Sequence, residues 1–151
     1  MDSEVIREAK QEDIPRIVEI GREFLLSGPY KEIIEDNPEA ASQLAERLMS
    51  LPESARVLVS YDEGKVTGVL AFIVYPHFYS GVTTGQEICW IVDPAHRQSL
   101  DSICLLRAAQ RMAREMGAKY MQFSAPEGTN VGKLYELSGY SVIETGYQKR
   151  L

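Results

Sequence analysis

One segment, residues 83–124, restricts the fold more than any other part of the chain. Thr83–Val92 is predicted to be a strand, and in Ser99–Met116 apolar residues recur every three or four positions, as in an amphipathic helix. Gly117 is placed to cap that helix, and Lys119–Ser124 follows as another strand. A strand, a helix and a strand in direct succession require a parallel strand pair joined by a crossover.

The first half of the chain predicts an antiparallel meander, because its strands follow one another through a tight turn. The strands Arg56–Tyr61 and Val66–Val74 are joined by the hairpin turn Asp62–Lys65. The other predicted elements are a strand Val5–Ala9, a helix from Gln11 to the Ser27–Pro29 turn, a helix Pro38–Met49, a short helix Thr129–Ser138 and a terminal strand Tyr140–Leu151. Together they predict an α/β (α+β) fold in a single domain, 1–151, with a mixed central β-sheet and helices on both faces.

The charge balance is acidic, with a formal net charge of -6. Nucleic acids and anionic membranes both attract basic surfaces, so neither is expected as a partner. The charge slightly favours a basic partner, such as a polyamine or a lysine-rich segment. No apolar run approaches the roughly 18 residues that predict a membrane span. The short acidic N-terminus is unlike a signal peptide, so a cytoplasmic location is expected.

The cysteines and histidines form no ligand pattern in the sequence. Cys89 lies in a predicted strand and Cys104 in a predicted helix, and both are expected to be small, buried apolar residues. There is no CxxC pair, and His77 and His96 are far apart in the chain. The sequence therefore predicts no metal site.

Two stretches carry recognisable motifs, Glu87–Arg97 (EICWIVDPAHR) and Asn130–Tyr140 (NVGKLYELSGY). In this element order, they resemble the GCN5-related N-acetyltransferase (GNAT) superfamily. The first stretch is similar to the family's fourth strand and the start of its pyrophosphate loop, and the second to its late helix and turn. The final segment, Glu144–Leu151, resembles members often encoded by bacteriophages.

The resemblance implies that acetyl-CoA is the acyl donor and that a backbone site holds it. In the family the pantetheine arm pairs with the fourth strand, which implies contacts with Trp90, Ile91 and Val92. The pyrophosphate binds to amides at a helix N-terminus, here the loop that begins at Arg97. Asn130, before the late helix, is either a further contact to the pantetheine arm or a helix cap. The remaining loop positions carried over are Gln98, Ser99, Leu100, Asp101 and Ser102.

This loop is degenerate, because it contains no glycine where the family has several. Leu100 and Ser102 stand at two glycine positions of the family pattern, and Gln98 replaces a further one. A carboxylate at Asp101, about 5 Å from a phosphate, would repel it by roughly 3 kcal/mol. Ser99 or Asp101 would alternatively cap the helix.

The resemblance also implies a reaction, the direct transfer of an acyl group to a primary amine in a ternary complex. Glu87 is the candidate general base, with a surface strand residue as the alternative. Tyr135 is the candidate acid for the leaving thiolate, with packing against the sheet as the alternative. The acceptor is expected to be a small amine or a protein lysine or N-terminus, and homodimers are frequent in such families. Aromatic and polar residues predict a substrate rim at Tyr30, Tyr75, His77, Phe78 and Tyr79.

Two other functions stay open on the sequence alone. The glycine-free loop favours a noncatalytic binding or inhibitory module that has lost acyl-CoA binding. The third reading is an acyltransferase whose donor is not acetyl-CoA, or one that holds the phosphates of its donor elsewhere.

Overall fold

The computed structural model describes residues 6–28, 30–97 and 100–151, and the side chain of residue 101 lies outside this description. Its helices and strands follow the predicted order up to the end of the last helix. They are β1 (Ile6–Glu8), α1 (Ile14–Ser27), α2 (Pro38–Met49), β2 (Ala55–Asp62), β3 (Lys65–Pro76), β4 (Thr83–Val92), α3 (Leu100–Glu115), β5 (Tyr120–Gln122) and α4 (Val131–Leu137), with short 3₁₀ turns at Gln11–Asp13 and Pro94–His96.

The five strands form one mixed sheet in the order β1-β2-β3-β4-β5. The first four strands pair antiparallel, and β4 pairs with β5 in parallel. Helix α3 forms the crossover between these two parallel strands. The predicted mixed sheet, with its meander and its crossover, is confirmed.

Alternating side chains of β2 and β3 supply two separate cores, one on each face of the sheet. Val57, Val59 and Val69 pack on one face with residues of α1 and α2, among them Ile20 and Leu48. The intervening residues, which include Leu58, Leu70 and Phe72, pack on the other face against Leu105 and Ala109 of α3. Because side chains alternate across a strand, the two apolar faces follow from the sequence, and the predicted placement of helices on both faces is confirmed.

Helix α1 is tied to the end of β4 by an ion pair near the cleft described below. Arg16 donates from Nη2 to Asp93 Oδ2 at 2.7 Å and from Nε to the Val66 carbonyl at 3.1 Å. Asp93 Oδ1 accepts from the Ala95 amide at 3.1 Å. This amide and the Arg16 charge outweigh burial and lower the pKa of the Asp93 carboxyl. The pair therefore fixes α1 relative to the strand that carries the candidate site.

The predicted terminal strand Tyr140–Leu151 is wrong, because residues 140–151 have no regular secondary structure. Val142 and Tyr147 are 77% and 94% exposed, so the apolar side chains of this segment find no core. Strand β5 has only three residues and offers a short edge for pairing. Gln148 instead donates to the Ile33 carbonyl at 2.9 Å.

Two side chains of α3 differ from their predicted burial. Leu100, one of the recurring apolar residues of the predicted helix Ser99–Met116, is 79% exposed. Cys104, expected to be buried, is exposed as well, since the buried face of α3 runs through Leu105, Ala108 and Ala109. No helix in the described part of the chain is long and apolar enough to cross a membrane.

Candidate functional site

Strand β4 contains a bulge at Ile88, and this bulge coincides with the point where β4 and β5 separate. Cys89 pairs with Ala71 of β3, whereas the next paired residue is Glu87, opposite Phe72, so Ile88 is the extra residue. Pairing of β4 with β5 is limited to Thr84–Gln86. Every second residue of a strand presents its backbone groups to the same neighbour. Beyond Gln86, within the described residues, β4 therefore has backbone groups that face a gap instead of a strand.

The gap is part of a cleft of about 800 Å³. One side is formed by α1, α2 and the segment between them, and the other by α4 and the segment before it. The bottom is formed by residues 87–92 of β4 and parts of β2 and β3. Arg97 and Ser102 also line the cleft, near the start of α3.

Glu87 lies in this cleft at the bulge, with its carboxylate half-buried. Its Oε1 accepts a hydrogen bond from the Ser124 amide at 2.9 Å. Burial raises the pKa of the Glu87 carboxyl, and the Ser124 hydrogen bond offsets only part of that effect. A carboxylate with a raised pKa, beside a cavity, has the properties of a general base.

Tyr135 of α4 is buried beside Glu87. Its hydroxyl donates to the Ser124 carbonyl at 2.9 Å. Burial raises the pKa of this hydroxyl above its ordinary value, and the charge of Glu87 raises it further. The hydroxyl therefore keeps its proton at neutral pH and can donate it.

The main chain of Ser124 joins the two side chains, because its amide binds Glu87 and its carbonyl binds Tyr135. Sequence reasoning did not identify Ser124. Its position just after β5, the strand parallel to β4, was the only available signal, since residues at the same end of neighbouring parallel strands lie close together.

Trp90, Phe123, Tyr135 and Tyr140 form an aromatic cluster, and two of these residues, Trp90 and Tyr135, line the cleft. The ring centroids of Trp90 and Tyr135 are 5.8 Å apart, and those of Phe123 and Tyr140 are 5.5 Å apart. The indole Nε1 of Trp90 is buried and has no hydrogen-bond acceptor in the described part of the chain. The cluster fixes the position of Tyr135 by packing on three sides.

Cys89 also lines the cleft and is partly buried. Burial, together with the nearby Glu87 charge, raises the pKa of its thiol to about 12. Because the thiolate is the nucleophilic form of cysteine, this side chain is not a nucleophile at neutral pH.

The structure brings part of the expected acyl-CoA site together. Trp90, Ile91 and Val92 all line the cleft, as do Arg97 and Ser102. Arg97 donates from Nε to the Val92 carbonyl at 3.0 Å, so its guanidinium is held at the end of β4. Ser102 contacts the Arg97 carbonyl, at 3.4 Å.

The remaining expected contacts to the acyl donor are not assembled in the same way. Leu100 points to solvent, and Gln98, Ser99 and the side chain of Asp101 lie outside the described residues. Asn130 is exposed, and no hydrogen bond from its side chain caps α4. The cap considered for this side chain is therefore absent.

The predicted substrate rim divides into one residue in the cleft and four outside it. Tyr30 lines the cleft, and its ring lies 5.6 Å from that of Phe24. The residues outside the cleft lining are Tyr75, His77, Phe78 and Tyr79. They lie at the end of β3 and in the turn that leads into β4 at Thr83. Val92 is at the opposite end of β4, a strand of ten residues, so this turn is remote from it.

His77 stabilises this hairpin turn. Its Nδ1 accepts from the amides of Tyr79 and Ser80, at 3.2 and 3.3 Å. Phe78 and Tyr79 are 92% and 87% exposed.

Among the described residues, no group of three or more histidine, cysteine, aspartate or glutamate side chains could hold a metal ion.

Comparison with solved structures identifies the fold. A transcriptional regulator from Bacillus halodurans C-125 superposes with a TM-score of 0.81 at 17% identity, over 97% of this chain and 98% of that one. Glucosamine-6-phosphate N-acetyltransferase from Arabidopsis thaliana gives 0.74 at 17% identity, over 96% of both chains. Ribosomal-protein-alanine N-acetyltransferase from Brucella melitensis biovar Abortus 2308 gives 0.71 at 20% identity, over 97% of this chain and 99% of that one.

No protein-family model matches the sequence, and no curated protein is significantly similar to it. At identities of 17–20% the structural similarity establishes the shared fold. That fold is the mixed sheet with flanking helices of acyl-CoA N-acyltransferases.

Proposed function

We propose that the protein is an acyl-CoA-dependent N-acyltransferase that transfers an acetyl group directly to a primary amine. The observation that carries the proposal is the pair of Glu87 and Tyr135, held by the main chain of Ser124 where β4 and β5 separate. Two of the solved structures with this fold are named as N-acetyltransferases.

The donor would lie between β4 and β5, with its pantetheine amides paired to backbone groups of residues 88–92. Strand-like pairing does not depend on side chains, so the sequence of this stretch does not limit it. A backbone N–H of residues 90–92 would polarise the thioester carbonyl and stabilise the tetrahedral oxyanion. The diphosphate would approach Arg97 and the first amides of α3.

Glu87 would take a proton from the acceptor ammonium, and the neutral nitrogen would attack the thioester carbon. The N–C bond forms, the C–S bond then breaks, and the sulfur leaves with the electron pair. Tyr135 would give its proton to that sulfur. The second proton that the nitrogen loses would then reprotonate Tyr135. The products are the amide and coenzyme A, with one proton released to solvent.

The protonation state of Glu87 would control the acidity of Tyr135 during the reaction. The ionised Glu87 raises the pKa of the Tyr135 hydroxyl. Once Glu87 has accepted the amine proton, that negative charge is gone and Tyr135 becomes a stronger acid. The acid is therefore weakest before the base has acted and strongest when the thiolate forms.

Cys89 supports direct transfer in a ternary complex over a covalent acyl-enzyme. Cys89 is the one cysteine in the described lining of the cleft and so the one candidate there for a thiol nucleophile. With a pKa of about 12, its thiol is protonated at neutral pH.

The proposal predicts that the protein releases coenzyme A from acetyl-CoA only when an amine acceptor is present. The release of the coenzyme A thiol is measured, with each of a panel of primary amines, from the colour that it produces with a disulfide reagent. Calorimetric titration of acetyl-CoA on the same preparation separates binding from turnover. A Kd below about 1 mM with amine-dependent release supports the enzyme. Absence of heat at millimolar acetyl-CoA would leave the noncatalytic module as the function.

A further inference from the structure

The side of the cleft formed by α1 and α2 is apolar along almost its whole length. We call this side the apolar wing and define it by Ile17, Phe24, Leu25, Ile34, Leu44 and Leu48. Leu44 and Ile34 are 46% and 42% exposed, whereas Leu48, deeper in, is 7% exposed. An apolar surface that is half open at its mouth and closed at its base suits the body of a small apolar ligand.

The charges around the cleft balance, although the whole chain is acidic. The described lining contains two carboxylates, Asp36 and Glu87, and two guanidinium groups, Arg22 and Arg97. Arg22 Nε lies 2.9 Å from Asp36 Oδ2, so these two neutralise each other. Among the described lining residues this leaves one carboxylate, Glu87, without a cationic side chain paired to it. The acidic net charge of -6 therefore lies elsewhere on the surface.

The apolar wing is a side of the cleft that the proposed donor leaves to the acceptor. On the β5 side, Tyr135 is only 7% exposed and packs against Phe123, so its ring offers little surface to an acceptor. The start of α3 and residues 90–92 would be taken by the acyl donor. An amine that reaches Glu87 can place the rest of its body on the apolar wing, which lines the same cleft.

We infer that the acceptor is a small monoamine with an aromatic or branched aliphatic body, which the apolar wing selects over a polyamine. This inference rests on the proposed function. The ammonium meets Glu87, and the body loses water against Phe24, Leu25 and Leu44. A polyamine would have to bring further ammonium groups to a side of the cleft whose one described carboxylate, Asp36, is already paired with Arg22, and unpaired charge in an apolar site is strongly unfavourable.

The selection predicts a ratio of rates. Burial of about 80 Å² of apolar surface at 25 cal/mol per Å² corresponds to roughly 30-fold in affinity. With acetyl-CoA at saturation, kcat/KM for phenethylamine and for 3-methylbutylamine is expected to exceed that for spermidine by about 10-fold or more.

Binding of the amine has a readout that needs no turnover. Trp90 is the single tryptophan of the chain and lines the cleft. Its emission, excited at 295 nm where phenethylamine does not absorb, is expected to change in a saturable way on titration with phenethylamine. Spermidine at the same concentrations is expected to leave the emission unchanged.

A matched pair of leucines tests the wing directly. Leu44 lines the wing and Leu26 lies on α1 outside the cleft lining, with exposures of 46% and 52%. Leu44→Ser is expected to raise the KM for phenethylamine about fivefold and to leave the Kd for acetyl-CoA unchanged. Leu26→Ser is expected to change neither constant.

The outcomes separate this inference from the proposed function. If acetyl-CoA binds and kcat/KM for spermidine equals that for phenethylamine, the proposed function is supported and the inference about the acceptor is overturned. It is also overturned if octanoyl-CoA binds 10-fold more tightly than acetyl-CoA and Leu44→Ser abolishes that gain, because the wing would then hold the acyl chain. If acetyl-CoA does not bind, the proposed function falls, and a saturable Trp90 response to phenethylamine that is lost in Leu44→Ser would still show that the wing takes apolar amines.

Discussion

Glu87→Gln is expected to lower kcat/KM for amine acetylation by about 10²- to 10⁴-fold. Glutamine keeps the shape of the side chain and an oxygen that can accept from the Ser124 amide. It cannot take the proton of the acceptor ammonium. The Kd for acetyl-CoA is expected to stay within about threefold, because a missing base affects the reaction and not donor binding.

The same substitution is expected to stabilise the protein at neutral and alkaline pH. Burial raises the pKa of the Glu87 carboxyl in the folded state. Between the ordinary glutamate pKa of about 4.3 and that raised value, the folded chain holds a proton that the unfolded chain has released. Stability therefore falls as pH rises through this window. The Tm of Glu87→Gln is expected to exceed that of the unsubstituted protein at pH 8, with the difference gone below about pH 4.

The pH profile of activity distinguishes a base from a structural residue. The unsubstituted protein is expected to lose kcat/KM on acidification, with an inflection above the ordinary glutamate pKa, and Glu87→Gln is expected to lack that inflection. Glu136, an exposed glutamate on α4, serves as the control. Glu136→Gln should keep both the rate and the profile. An acid limb that survives in Glu87→Gln would assign the base to another group.

Tyr135→Phe is expected to lower kcat by about 10²-fold with little change in the Kd for acetyl-CoA. The substitution removes the proposed proton donor for the leaving sulfur and keeps the ring that packs against Trp90 and Phe123. The loss is expected in single-turnover rates as well, because without this proton the C–S bond breaks more slowly.

Tyr140 is the matched control, since it belongs to the same aromatic cluster and its hydroxyl donates to Gln110, away from Glu87. Tyr140→Phe loses one hydrogen bond of a half-buried hydroxyl, and its kcat should fall by less than about threefold. Equal losses of kcat in the two variants would mean that the cluster acts through packing and that Tyr135 is not the acid.

Elements defined by local signals were predicted with the bounds that the structure shows. The prediction Pro38–Met49 for α2 is confirmed, and Asn37 caps that helix by accepting from the Ala40 amide at 3.1 Å. Strand β4, Thr83–Val92, is confirmed as well. In both elements the start, the end and the apolar pattern lie within the segment itself.

Features that depend on a partner strand could not be read from the sequence. The bulge at Ile88 exists only relative to β3, and the separation of β4 and β5 follows from how few residues pair. The terminal strand failed for the same reason, since alternation in residues 140–151 does not supply an edge to pair with. Ser124 carries no distinctive side-chain signal, because both of its contacts to the site are made by the main chain.

A crystal structure of the protein with coenzyme A tests the central claim most directly. We expect the pantetheine arm between β4 and β5, its amides hydrogen-bonded to the backbone of residues 88–92, and its sulfur within about 3 to 4 Å of the Tyr135 hydroxyl. Coenzyme A bound elsewhere, or the gap beside Glu87 left without ligand density at saturating coenzyme A, would contradict the account.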